Sequence, residues 1–138
     1  MSELENKLEI SFLVDEISYQ LDQKDAAKAL EAFTEDAVLN IEEDGHTITS
    51  LCSKPAILTE LNKRLEFVNY MFHNNGTKNI NVLSLDQKAT ADTSCIIKMA
   101  TNQATTDEDV YFHDKLIKVN GYWYIVERTI EIVTKSVH

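Results

Sequence analysis

Two apolar-rich runs joined at Asn120-Gly121, together spanning Val110 to Val133, constrain this chain more than any other stretch. Asn and Gly both tolerate the positive φ of a type I′ turn, so the pair predicts a two-residue hairpin in which Val119 faces Tyr122. Counting outward, one face carries Val110, Phe112, Asp114, Leu116, Trp123, Ile125, Glu127 and Thr129. The other carries Tyr111, His113, Ile117, Tyr124, Val126, Arg128 and Ile130. This register sets Asp114 opposite Glu127 among apolar neighbours, and His113 opposite Arg128. Two facing carboxylates repel, and in apolar surroundings one of them is expected to hold a proton near neutral pH, which is how a site donates or accepts one. A bulge would instead set Asp114 beside Arg128 as an ion pair.

The segments before the hairpin are mostly helical. Ser2 and Glu5 fit a capping box, and Leu4, Leu8 and Phe12 with Leu13, Ile17 and Leu21 make two neighbouring apolar stripes of a helix ending near Lys24. Asp25 can cap a short second helix through Phe33. Ala37–Ile41 and His46–Leu51 read as strands around an Asp44-Gly45 turn. Ser53 with Pro55 opens a third helix, whose stripe is Ile57, Leu58, Leu61 and Leu65. From Ile80 onward the period is two. Ala89, Ala91, Cys95, Ile97 and Met99 alternate with polar residues in a half-buried strand, while Asn102–Asp109 reads as a solvated acidic connection. Three helices followed by long antiparallel strands predict an α+β domain over residues 1–138, with a curved, mainly antiparallel sheet wrapped around the first helix.

Composition narrows the function. With 138 residues the chain is the size of one domain. A net charge of -10 and scattered Lys and Arg argue against nucleic acid and against anionic membrane surfaces. Cys52 and Cys95 are not spaced for zinc or for a disulfide framework, and His46, His113 and His138 combine at no metal-ligand spacing, so no metal is expected. The N-terminus lacks a basic and apolar leader and no apolar run is long enough to span a membrane, so cytoplasmic residence is expected. There is no phosphate loop and no nucleophile elbow.

Several stretches in order resemble the SnoaL-like group of the nuclear transport factor 2 superfamily. They are Asp22 to Asp25 leading into residues 29–38, the helix opened near Pro55, the Asn79 to Ala89 strand, Phe112-x-Asp114-x-Leu116, and Gly-x-Trp-x-Ile at 121–125. The resemblance covers nearly the whole chain. It implies an α+β barrel, a cystatin-like cone whose open end holds a small, mostly apolar ligand, and it includes cofactor-independent dehydratases and isomerases as well as members without a catalytic role.

The resemblance also implies a candidate site. Asp22 matches the aspartate that closes the first helix in the dehydratases, although Leu21 stands where a Tyr often precedes it. Tyr19 can offer a phenol nearby. The family histidine is expected at Asn75, four residues before Asn79, and His73 falls two residues early. That spacing keeps it on the same strand face as Asn75, Thr77 and Asn79 unless a bulge at Gly76 turns it away. In the catalytic reading His73 is a general base oriented by Asp22, Asp114 with Glu127 forms an auxiliary acid, and Tyr19, Phe112 and Trp123 contact the ligand. In the alternative the chain is a non-catalytic binding or dimerisation module, with the cone filled by side chains such as Phe12, Phe72 and Trp123. Either way the apolar outer face of Tyr111, Ile117, Tyr124, Val126 and Ile130 predicts a homodimer.

Overall fold

The computed structural model describes residues 2–83 and 85–138. Helix α1 (Glu3–Asp22) starts at the expected capping box, where Glu5 N–H donates to Ser2 Oγ at 3.1 Å and Ser2 N–H to Glu5 Oε1 at 3.3 Å. Asp25 caps α2 (Ala26–Ala29), which tightens into a 3-10 turn over Leu30–Ala32. Phe33, expected in that helix, instead begins strand β1 (Phe33–Glu43), which turns at Asp44-Gly45 into β2 (His46–Cys52). Ser53 caps α3 (Lys54–Leu65) with Pro55 in its first turn. Strands β3 (Tyr70–Leu83), β4 (Lys88–Ala100), β5 (Thr105–Val119) and β6 (Tyr122–Val137) follow. The acidic stretch read as a connection is therefore strand from Thr105 onward, because its alternation continues that of Val110 and Phe112.

The six strands form one sheet in the order β2-β1-β6-β5-β4-β3, antiparallel except for the parallel β1–β6 pair. Ile10, Val14 and Ile17 of α1 are buried in one cluster with Ala37, Leu39, Ala89, Ala91, Leu116, Trp123 and Ile125, which come from four strands. A single cluster that joins one helix to four strands requires the sheet to curve around it. The buried side of α1 is thus not the full width of its apolar surface. Leu4, Leu8 and Phe12, one of the two stripes expected to pack, face solvent, with Phe12 68% exposed. Asn6 takes a core position, its Oδ1 accepting from Trp123 Nε1 and Lys118 Nζ, both at 3.0 Å, which ties the start of α1 to the hairpin.

The hairpin turn falls where the sequence puts it, with Val119 opposite Tyr122. Further along, two residues of β6 oppose one step of β5. Leu116 pairs with Ile125 but Lys115 pairs with Glu127, so Val126 is a bulge, and the side chains beyond it change face until a second bulge at Val133 restores the parity. Arg128 and Ile130, expected outside, point into the cone, while Glu127 lies outside and pairs with Lys115 at 3.1 Å. The expected Asp114–Glu127 pair does not exist.

Candidate active site

The inward turn of Arg128 creates the most buried ion pair in the described chain. Its Nε and Nη2 donate to Asp114 Oδ1 and Oδ2 at 2.8 and 3.0 Å, with the two side chains 3% and 0% exposed. The guanidinium sits 4.2 Å from the Phe112 ring centroid. Asp114 is fully committed to Arg128 and is not a free acid.

Phe112 carries this arrangement toward the helix, since its ring also stacks on His73 at 6.2 Å between centroids. Here β3 meets the end of α1. Asp22, the last residue of α1, uses a single oxygen, Oδ1, to accept from the backbone N–H of His73 at 2.8 Å and to meet its ring Nδ1 at 2.7 Å. A carboxylate oxygen accepts at this contact, so Nδ1 carries the proton, and in the neutral ring Nε2 then holds the lone pair. Two positions along, Asn75 accepts from Ser18 Oγ at 3.1 Å and donates to Asp15 at 3.0 Å, and Lys78 reaches Asp15 at 2.8 Å. These contacts fix the register of α1 on β3, and with it the geometry of Asp22 and His73. The bulge feared at Gly76 is real, lying between Asn75 and Lys78, but it comes after His73 and turns away Thr77 and Asn79 instead.

His73 lines a cavity of about 410 Å³ at the open end of the cone. Its wall is apolar through Leu39, Ile41, Leu61, Met71, Ile97 and Ile130, and Arg64, Glu108 and Lys135 are among its charged lining. Burial lowers the His73 pKa below its ordinary value. The Asp22 carboxylate opposes that shift without cancelling it, and the Arg128 charge adds to it. A neutral imidazole, held by a carboxylate at Nδ1 and lining an apolar hollow, can take a proton from a bound molecule.

The remaining sequence candidates lie elsewhere. Tyr19 is 56% exposed on the far side of α1 and cannot act as a donor in this cavity. Phe112 supports His73 from within the sheet, and Trp123 is packed in the core beside Asn6; neither lines the cavity. Phe12 and Phe72, the side chains that could have filled the cone, both point to solvent. His113 is on the outer face between Asp92 at 2.6 Å and Glu131 at 2.8 Å. The sequence pattern offers Arg128 only as the partner of Asp114 across a bulge and does not single out Glu108, for two reasons. A one-residue bulge reverses strand parity for the first, and an acidic run hides the strand period for the second. The signal for Glu108 was there in the unbroken alternation Thr106, Glu108, Val110, Phe112.

A curved six-stranded sheet closed by N-terminal helices, with a helix-anchored Asp–His pair beside an apolar hollow, defines a cone-shaped α+β protein of the cystatin-like type. Within that class, the chain belongs to the SnoaL-like domain family, which it matches over residues 2–129. No protein of curated function matches the sequence at a significant level. Among solved structures the fold is similar to a protein of Novosphingobium aromaticivorans DSM 12444 assigned as a scytalone dehydratase, with 17% identity, 96% of this chain and 87% of that chain covered, and a TM-score of 0.86. It is also similar to the type 3 hexachlorocyclohexane dehydrochlorinase LinA of Novosphingobium barchaimii LL02, at 11% identity, 98% and 91% coverage and a TM-score of 0.84. A cystatin-like protein of unknown function from Nostoc punctiforme PCC 73102 shares 21% identity over 96% of this chain and 93% of that one, with a TM-score of 0.76. Among the described residues no helix is long and apolar enough to cross a membrane.

Proposed function

We propose that this protein is a cofactor-independent lyase or isomerase that takes a carbon-bound proton from a small, mostly apolar molecule held in the cone. The observation that carries this reading is the Asp22–His73 pair at the cavity wall. His73 Nε2 is the general base, and Asp22 holds the ring in the tautomer that leaves Nε2 unprotonated. Arg128, clamped by Asp114, is a buried positive charge that helps keep the imidazole neutral. Two of the similar structures bear names of elimination enzymes, a dehydratase and a dehydrochlorinase, which favours elimination over isomerisation.

Exchange of ring-ketone α-hydrogens is the direct test. Wild-type protein in deuterated buffer should speed deuterium uptake by cyclohexanone, followed by NMR, and His73→Ala should lose at least ~100-fold of that rate. Equal rates in the two proteins would remove the proposal. A cavity filled by Phe12, Phe72 and Trp123 would favour the alternative, a non-catalytic binding or dimerisation module; Phe12 and Phe72 are exposed, Trp123 packs in the core, and none of the three lines the cavity.

The same reading includes a homodimer through the outer sheet face and residence in the cytoplasm. The outer face retains Tyr111, Ile117, Tyr124 and Val126 but not Ile130, which faces the cavity. Sedimentation as a monomer at micromolar concentration would contradict the dimer.

A further inference from the structure

The cavity holds a second titratable group that the Asp–His pair does not use. Glu108 on β5 stands opposite Ile97 on β4, and Ile97 stands opposite His73 on β3. His73 and Glu108 therefore flank Ile97 in one cross-strand row, roughly 10 Å apart between Cα atoms at about 5 Å per antiparallel step. All three line the same hollow. The neighbours Asp107 and Asp109 alternate to the other side, where they meet His138 and Thr134. Glu108 alone of this acidic run is turned inward, half-buried, with no hydrogen bond or ion pair among the described residues.

We propose that Glu108 is a second catalytic residue, the proton donor to an oxygen departing from the carbon β to a carbonyl. This rests on His73 being the base. His73 Nε2 takes the proton from the carbon next to the carbonyl, and the electrons of that C–H bond become the new C=C bond. The C–O bond at the β carbon breaks with its electron pair passing to oxygen, which takes the proton of Glu108 and leaves as water. The imidazolium and the carboxylate that remain return to their starting states by proton exchange with solvent at the mouth. The charge surroundings of Glu108 suit a donor. Burial raises its pKa and Glu43 adds to the rise, while Lys135 and Arg64 oppose it without reversing it. Glu43 and Glu60 are the other carboxylates on this wall.

The leaving group supplies the test, because a departing halide needs no proton and a departing hydroxide does. Wild-type, Glu108→Gln and His73→Ala proteins are compared on β-hydroxycyclohexanone and β-chlorocyclohexanone, which give the same absorbing enone. Glu108→Gln should lower the ratio of the hydroxy to the chloro rate by at least ~30-fold, and acetate should restore hydroxy turnover to Glu108→Ala. His73→Ala should lower both rates together. An unchanged ratio in Glu108→Gln, with both rates lost in His73→Ala, overturns the role of Glu108 and leaves the base standing. Rates indifferent to His73→Ala overturn the base itself. If wild type turns over neither compound, NMR of ¹³C-labelled Glu decides: β-hydroxycyclohexanone must shift the Glu108 carboxyl resonance, identified by its loss in Glu108→Gln, and no shift overturns the assignment.

Discussion

One oxygen of Asp22 lies 2.8 Å from the backbone nitrogen of His73 and 2.7 Å from its ring Nδ1, so the same atom fixes both the start of β3 and the tautomer of the imidazole. Removing the charge there should act on the chemistry more than on the fold. Asp22→Asn keeps an acceptor but loses the carboxylate that opposes the burial of His73. Activity should fall by ~100-fold or more. The acid limb of kcat/KM, which in wild type lies below the ordinary histidine value of 6.5, should move lower still. A pH profile unchanged by the substitution would separate Asp22 from the base.

The Arg128–Asp114 pair should behave as a buried pair does. Arg128→Met alone leaves a buried carboxylate without its partner and should cost about 3–5 kcal/mol in chemical denaturation. Asp114→Leu with Arg128→Met removes both charges and should recover most of that loss. A single-mutant cost under ~1 kcal/mol would mean that solvent reaches the pair.

His73 and His113 should give opposite pH dependences of stability. Burial pulls His73 below 6.5, so on acidification the unfolded chain binds its proton first, and stability falls as pH drops from 6.5 toward the folded value. For His113 burial also acts to lower the pKa, but hydrogen bonds to Glu131 and Asp92 outweigh it and the net shift is upward. Its contribution is complete below 6.5 and is lost as pH rises through the raised folded value. Denaturation from pH 5 to 8 should show His73→Ala flattening the acidic side relative to wild type, and His113→Asn flattening the alkaline side. The same slope change in both variants would contradict these assignments.

The two thiols should differ in reactivity. Burial pushes Cys95 up to about 12, whereas Cys52 is exposed at the end of β2. A thiol reagent at pH 8 should label one cysteine quickly in the folded protein and the second only on unfolding. Fast labelling of both would show that the wall behind the cavity opens.

The turns and caps were legible because each is a local matter. Asn120-Gly121, Ser2 with Glu5, Asp25, and Ser53 with Pro55 all act within four residues, and local chemistry decides them. The α+β class followed from three helices ahead of long strands, and the closeness of Asp22 to His73 came through the family resemblance, while the 2.7 Å contact itself depends on where α1 docks on β3. Parity was legible only as two alternatives, an unbroken register or a bulge that pairs Asp114 with Arg128, and the bulge is the one that forms. Nothing in Ile125-Val126-Glu127 announces a bulge, yet it moves Arg128 inside, sends Glu127 out, and replaces a carboxylate pair by an ion pair. The side of α1 that packs was illegible for a related reason. The helix is apolar on most of its circumference, and only the sheet decides that Asn6 is buried and Phe12 is not.

Proton abstraction in the cone requires an unprotonated Nε2 on His73. A long-range ¹H–¹⁵N correlation spectrum of the histidine rings near pH 7 tests it most directly, with His73 identified by its loss in His73→Ala. A neutral ring with the proton on Nδ1 and an unprotonated Nε2 is expected. A ring protonated on Nε2, alone or together with Nδ1, would contradict it.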